Sequence, residues 1–439
     1  MDVSTKQQRI AEAAKRHTEQ GLTSLNQFLD IDWLREAYRR VRKDSAPGCD
    51  GQTVEDYGEH LEENLSSLLE RAKSGRYIAP PVRRVHIPKE GASKETRPIG
   101  VPTTEDKVLQ RAVVMLLEPI FEGDFFDVSF GFRPRRSPHQ ALEYLWHQAM
   151  AKQTSWIIDV DIRKFFDTLD KSKLREMFQS RVRDGVITRL IGKWLKAGVL
   201  EQGEVWYPEA GSPQGGVISP LLSNLYLHEV IDKWFATEVM ERLHGRVFMV
   251  RFADDMILGF ELEEDARRVY EVLPKRFSKF GLTLHSEKTR LVPFARPPRV
   301  DRVRRVSAVE PGTFDFLGFT HYWGKSRKGN WVIKRKTVQN RFSRALKRIR
   351  EWCQHNRHLP IRQQYPILCQ KLRGHFAYYG ITGNGPWLER FREQVKKTWR
   401  YWLNRRSRNP NDMTWERFGV LIRTLFRLPP PRVVHSAYT

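Results

Sequence analysis

The sequence predicts an α/β or α+β domain built on one central sheet and followed by a basic, helical region. Three observations predict it. Apolar strand-like runs alternate with amphipathic helix-like runs from about residue 75 to residue 320. From Lys325 to Arg408 there are 23 Lys and Arg against three Glu, a surplus of +20 in a chain of net charge +24, so the rest is almost balanced. The length, 439 residues, is enough for a sizeable core and two or three domains.

Residues 1–44 read as helical, with apolar residues at helical spacing in "SLNQFLDIDWLREAYRRVRK". "SAPGCDGQT" breaks that pattern with Pro47, Gly48 and Gly51, and an amphipathic helix follows from Val54 to Lys73. "YIAPPVRRVHIPK" has strand character. "TEDKVLQRAVVMLLEPIFEGDF" is a helix with Thr104 as its N-cap. "SWIIDVDI" is a buried strand, "GGVISPLLSNLYLHEVIDKWF" a long helix after a Gly/Pro turn, and "RVFMVRFADDMILGF" a β-hairpin. "EEDARRVYEVLPKRFSKFGL" is helical, and "TLHSEKTRLVPF" and "TFDFLGF" look like strands. "RKTVQNRFSRALKRIREWCQHN" places Phe342, Leu346, Ile349 and Cys353 on one stripe, with Arg341, Arg344, Lys347, Arg348 and Arg350 largely elsewhere, as a helix with a basic face does.

Cys49, Cys353 and Cys369 are too few and too scattered for a disulfide framework or a CxxC metal site. The N-terminus lacks an apolar signal-like stretch, and no apolar run approaches the ~18 residues that cross a bilayer. The expectation is a cytoplasmic protein without a membrane partner. The charge calls for a polyanion, most often nucleic acid.

Two adjacent acids, Asp254 and Asp255, interrupt the apolar hairpin, and Asp161 follows the apolar run Trp156 to Val160. Desolvating a lone carboxylate costs several kcal/mol or more, so such acids are ligated, paired or protonated. If the hairpin lies beside the Trp156 strand, Asp161 and Asp254 converge at one sheet edge. Carboxylates without His or Cys suit hard cations, Mg²⁺ first, and two such ions serve nucleotidyl transfer. A basic protein with such a site reads as a polymerase or a nuclease.

The motifs "RPIGVPTTEDKVLQRAV", "FGFRPRRSPHQAL", "DVDIRKFFD", "GSPQGGVISPLLSNLYL", "RFADDMILGF", "LHSEKTRL" and "FDFLGF" occur in the order and spacing of a known family. From about residue 30 onward the chain resembles the reverse transcriptase/maturases of bacterial group II introns. The resemblance implies a right-hand polymerase fold of α+β class, its fingers and palm built on a central antiparallel sheet and followed by an α-helical thumb. The corresponding expected domains are an N-terminal helical extension over 1–45, fingers and palm over 46–322, a thumb or maturase domain over 323–408 and a short tail over 409–439. That tail shows no endonuclease pattern.

On matching positions the resemblance implies that Asp161, Asp254 and Asp255, with the Ile162 carbonyl, hold two Mg²⁺ ions, with Mn²⁺ as a substitute. Phe166 matches the steric gate against ribonucleotides. Gln214, Arg97 and Lys89 match residues around the incoming dNTP, and Lys288 a general acid for pyrophosphate. Phe316, Leu317 and Gly318 match the primer grip, although "FLGF" on pattern alone is a buried strand. In the thumb, Arg341, Arg344, Lys347, Arg348, Lys396, Lys397 and Arg400 are the expected RNA contacts, and the aromatics Trp387, Trp399, Tyr401 and Trp402 suit either stacking on bases or, for most of them, the thumb core. Asp159 and Asp167 are read as structural.

The implied activity is RNA-directed DNA synthesis, and the implied partners are group II intron RNA, an RNA template with a DNA or RNA primer, dNTPs and target DNA. The alternatives are a splicing cofactor that binds intron RNA without polymerising, and a domesticated descendant such as a CRISPR-associated enzyme. One position departs from the family pattern: Phe252 stands where Tyr is usual, which is expected to spare metal binding but to alter fidelity or primer contact.

Overall fold

The computed structural model describes residues 2–18, 20–88, 96–207, 215–297, 311–406 and 413–436. In chain order its elements are α1 (Val3–Arg16), α2 (Ile31–Arg40), α3 (Val54–Glu59), α4 (Leu61–Ser74), β1 (Val82–Pro88), β2 (Thr96–Val101), α5 (Thr104–Asp124), α6 (Pro138–Ala151) and β3 (Trp156–Val160). There follow α7 (Phe165–Thr168), α8 (Lys171–Arg181), α9 (Gly185–Leu195), β4 (Val199–Glu201), β5 (Glu204–Trp206), α10 (Ser219–Leu227), β6 (Val247–Phe252), β7 (Asp255–Phe260), α11 (Glu263–Lys279) and β8 (Arg290–Pro293). The chain continues with β9 (Phe314–Phe316), β10 (Phe319–Lys325), β11 (Trp331–Thr337), α12 (Gln339–His355), α13 (Ile361–Tyr379), α14 (Gly385–Leu403) and α15 (Trp415–Thr424). No helix among the described residues is long and apolar enough to cross a membrane.

The α+β class holds, but the strands among the described residues form three sheets rather than one: β2-β1-β4-β5, β6-β7-β3-β8 and β11-β10-β9. In the first, β1 pairs antiparallel with β2 and parallel with β4. That sheet takes β1 and β2 from before α5 and β4 and β5 from after β3, so order in sequence does not decide which strands share a sheet. Two compact units result: Met1–Ala141 with Ile158–Leu291, and Leu142–Ile157 with Val292–Thr439. A boundary at 322/323 would fall inside β10.

In the first unit α5 is the organising element. Almost every face is covered, with Val108, Leu109, Ala112, Val113, Leu116, Leu117 and Ile120 all buried. α1 and α2 pack on it, so these N-terminal helices are part of this core rather than an appendage. Trp33 of α2 is fully buried and donates its indole N–H to Ala112 O at 2.9 Å. The cap of α5 is Thr103, not Thr104: Thr103 has the extended backbone a cap needs and accepts from Asp106 N, whereas Thr104 is already helical and donates to Gln52 O. The Val54–Lys73 helix is broken at His60 into α3 and α4.

Asp106 on α5 is buried and accepts from Tyr77 OH (2.5 Å), Trp194 Nε1 (2.6 Å) and Gln110 Nε2 (2.9 Å). Burial outweighs these donors and pushes its carboxyl from 3.8 up to about 6. The folded protein therefore holds this proton more tightly than the unfolded chain. The resulting stability, on the order of 3 kcal/mol, is complete below pH about 4 and is lost as pH rises through about 6. Urea titrations across that window should show this decline, and Asp106→Asn should flatten it; an unchanged slope would contradict the assignment.

In the second unit the sheet β11-β10-β9 precedes a helical group with its own core, including Phe342, Ile349, Leu368, Leu372, Phe376, Phe391, Val395 and Trp399. α12 takes the stripe expected from its sequence: Phe342, Ile349 and Cys353 are buried and Leu346 packs against the same core. "FLGF" is not a strand. β9 ends at Phe316, Leu317 (φ 49°) and Gly318 (φ 81°) make a two-residue left-handed turn, and Phe319 opens β10 opposite Phe316. The flanking apolar residues hide that turn, since Leu seldom occupies a left-handed position. Tyr378 OH donates to Leu317 O at 2.9 Å and holds the turn.

Candidate active site

The expected hairpin forms as β6 and β7, with Phe252 opposite Asp255. Ala253 and Asp254 are therefore the two turn residues, and Asp255 is the first residue of β7. The apolar halves on either side are buried from Val247 to Val250 and from Met256 to Leu258. The acids escape the core because the chain reverses there, at the sheet edge. β7 neighbours β3 in the sheet, which is the condition that brings Asp161 and Asp254 to one edge.

Asp161 sits directly after β3 and its backbone is tied to the 283–289 segment. Its N–H donates to Thr289 Oγ1 (3.3 Å), its carbonyl accepts from His285 N (2.8 Å), and Ile162 bridges Leu284. Most of "TLHSEKTRLVPF" is thus a buttress to Asp161, and only Arg290–Pro293 is strand. The same buttress carries Lys288, whose Nζ lies 3.5 Å from Asp161 Oδ2.

Solvent reaches the Asp254 side chain, yet the protein around it is dense, and this desolvation is the largest influence on it, pushing its carboxyl above the ordinary aspartate value. A bond from its own backbone opposes that, the charge of Asp161 pushes the same way as burial, and Arg97 and Arg251 pull back. Two carboxylates that repel each other, with water access, are a donor set suited to a hard cation. Among the described residues no three His, Cys, Asp or Glu side chains form a ready-made metal cluster.

Of the other expected residues, Phe166 lies on α7, half-buried and edge-on to the buried Phe165 at 5.3 Å. Arg97, on β2, is exposed and close enough for its charge to act on Asp254. Lys89 and Gln214 lie outside the described residues. Phe252 is half-buried at the end of β6. Asp159 accepts from Arg290 Nη2 at 2.8 Å, and Asp167 is exposed on α7.

In the second unit Arg341, Lys347, Arg348 and Lys397 are exposed, whereas Arg344, Lys396 and Arg400 are half-buried. Lys396 is paired with Glu393 at 2.5 Å, and Arg400 lies 4.2 Å from the Trp415 ring. Trp399 is core, Trp387 and Trp402 pack against that core, and Tyr401 is exposed beneath Arg405.

Sequence reasoning missed the support beneath the hairpin. Arg251 and Asp232, both fully buried, form a two-pronged ion pair with Nε–Oδ1 at 2.8 Å and Nη2–Oδ2 at 2.5 Å. Burial alone would raise the Asp232 carboxyl; Arg251 outweighs it and holds the carboxyl low. Arg251 Nη1 also donates to Ala253 O and to Asn224 Oδ1, both at 3.1 Å, and Asn224 Nδ2 donates to Gly131 O at 2.7 Å. Ala253 takes a left-handed φ of 56°, which costs a non-glycine residue on the order of 1 kcal/mol, and the Arg251 bond is what holds it there. Gly131 lies against the same turn, where a Cβ would come within 2.2 Å of Ala253 N. Asp232 reaches this position from a π-helical stretch, His228–Asp232, in which the predicted long helix departs from α geometry after Leu227. A charged residue inside the buried "VFMVRF" run was the available signal.

Residues 87–321, more than half of the chain, match the family described as reverse transcriptase (RNA-dependent DNA polymerase). The chain is 32% identical over 306 residues to the group II intron-encoded protein LtrA of Lactococcus lactis subsp. cremoris, covering 66% of this chain and 50% of that protein. It is 33% identical over 299 residues to protein YkfC of Escherichia coli K12 (59% and 76%), and 30% identical over 175 residues to the mitochondrial nuclear intron maturase 2 of Arabidopsis thaliana (31% and 24%). The chain thus spans about half the length of the first of these relatives. On this match, the chain belongs to the reverse transcriptase family, and within it to the group II intron reverse transcriptase/maturase type.

Proposed function

We propose that this chain is an RNA-directed DNA polymerase that copies RNA into cDNA and binds group II intron RNA to assist its splicing and mobility. The observation that carries the reading is the placement of Asp161 and Asp254 at adjacent strand ends of one sheet, close enough for the charge of Asp161 to act on Asp254. Members of this family generally use divalent metal ions. Here Asp161, the Ile162 carbonyl, Asp254 and Asp255 would hold two Mg²⁺ ions, with Mn²⁺ able to replace them. When bound, such ions favour ionisation of a primer 3′-hydroxyl and neutralise charge on the phosphates.

The chain's own side chains have separate tasks in this reading. Lys288 partly neutralises Asp161 and stands within reach of a leaving pyrophosphate as proton donor. Arg97 adds positive charge on the side of Asp254, where a triphosphate would lie, with Lys89 and Gln214 as its proposed companions. Phe166, wedged on Phe165, presents an aromatic edge to the sugar of a bound nucleotide. The domain division proposed is fingers and palm up to about residue 322, with the Leu317–Gly318 turn near their end as part of a primer grip, and a thumb after it.

The test is extension of a DNA primer on an RNA template with dNTPs and Mg²⁺. The wild type should give full-length product and Asp161→Asn none; equal synthesis by both would remove the site. Phe166→Val should lower the dNTP-over-rNTP selectivity by about tenfold or more, since a steric wall is lost, and an unchanged ratio would exclude the gate. The second reading, an RNA-binding splicing cofactor, is favoured by the exposed cations of α12 and α14 and is compatible with the first.

A further inference from the structure

A cavity of about 930 Å³ opens in the first unit between α8, α9 and the segment before β1, and shares no residue with the carboxylate site. Arg175 and Arg183 reach it from α8 and the turn that follows, Arg189 and Lys196 from α9 and its C-terminal cap. Among the described residues no carboxylate lines it. Arg175, Arg189 and Lys196 are exposed and, among the described residues, make no ion pair. Lys193 differs: its ammonium is spent on Gly75 O (2.6 Å) and Tyr77 O beyond the C-terminus of α4, so it fixes the wall. The rim is apolar and open, with Ile78 81% and Tyr207 71% exposed. Tyr207 lies over Gly198, where a Cβ would approach the Tyr ring to 3.0 Å.

Unpaired cations held together at this density repel one another, and an anion is what relieves that repulsion. The shape selects the kind of anion. The volume is at the upper end of the roughly 300–1,000 Å³ typical of ligand sites. It is too small for a duplex, and a concave wall does not suit a flat bilayer. Cations beside an exposed aromatic ring and an aliphatic side chain fit a single strand, its phosphates on the guanidinium and ammonium groups and an unstacked base on Tyr207. We propose that this cavity binds a short single-stranded stretch of RNA, as a grip separate from the basic helices of the second unit. The proposal does not depend on polymerase activity.

Photo-crosslinking the full chain to a short single-stranded RNA carrying 4-thiouridine at low salt, with peptide mapping, tests it. Crosslinks are expected on peptides containing Ile78 or Tyr207, in addition to any on α12 or α14. The variant combining Arg175→Gln, Arg189→Gln and Lys196→Gln alters only exposed side chains. It should weaken the cavity crosslinks by about tenfold or more and leave the α12 and α14 ones in place. Absence of wild-type crosslinks at Ile78 and Tyr207, a reading independent of any variant, would overturn the proposal. So would cavity crosslinks that survive the triple substitution. Sedimentation with phosphatidylserine vesicles supplies the competing outcome: if the triple variant loses vesicle binding while its RNA crosslinks stand, the cavity serves an anionic lipid surface and the proposal fails.

Discussion

Arg251→Met is expected to destabilise the protein by about 3–5 kcal/mol, because it leaves Asp232 buried with only the His228 ring, 3.5 Å away, beside it. Denaturant unfolding should show the midpoint falling accordingly; an unchanged midpoint would mean that Asp232 has another means of compensation. Stability is only half of the expectation. Arg251 also holds the Ala253 carbonyl, and therefore the left-handed turn that presents Asp254. Pairing Arg251→Met with Asp232→Leu removes the orphaned charge and should recover much of the lost stability, as replacement of a buried ion pair by apolar groups often does. It does not restore the bond to Ala253 O. The double variant should therefore fold well and still synthesise DNA poorly, with a raised Mg²⁺ requirement. Full recovery of synthesis along with stability would assign the pair a purely structural role.

How much of this was legible in the sequence depended on the range of the interaction. The hairpin announced itself through two continuous apolar runs and a polar interruption, and α12 through its 3.6-residue stripe, because both patterns are local. The left-handed turn at Leu317–Gly318 was masked by the apolar character of "FLGF": a buried turn and a buried strand share a composition. The division into three sheets depends on which distant strands pair, and no local pattern encodes that. The Arg251–Asp232 pair joins residues 19 apart through a π-helical stretch; Arg251 stands out in its apolar run, but nothing local points to Asp232 as its partner. At the site, the convergence of Asp161 and Asp254 followed once β7 lay beside β3. The role of Thr289 and His285 as a buttress to the Asp161 backbone required coordinates, since main-chain bonds leave no trace in side-chain type.

Asp254→Asn carries the largest catalytic effect. The substitution keeps shape and hydrogen-bonding capacity near the turn but removes the charge that would hold a divalent cation, so transition-state stabilisation of about 4 kcal/mol or more, a thousandfold in rate, should be lost. Asp254 lies at a solvent-reached turn, and the fold should survive. The most direct measurement is made on one preparation of this variant beside the wild type: RNA-templated primer extension with Mg²⁺, and affinity for structured intron RNA at the same salt. The account predicts synthesis reduced by about a thousandfold or more with RNA affinity within about twofold of the wild type. Synthesis at the wild-type rate would contradict it, and so would a wild type that binds the RNA and makes no DNA.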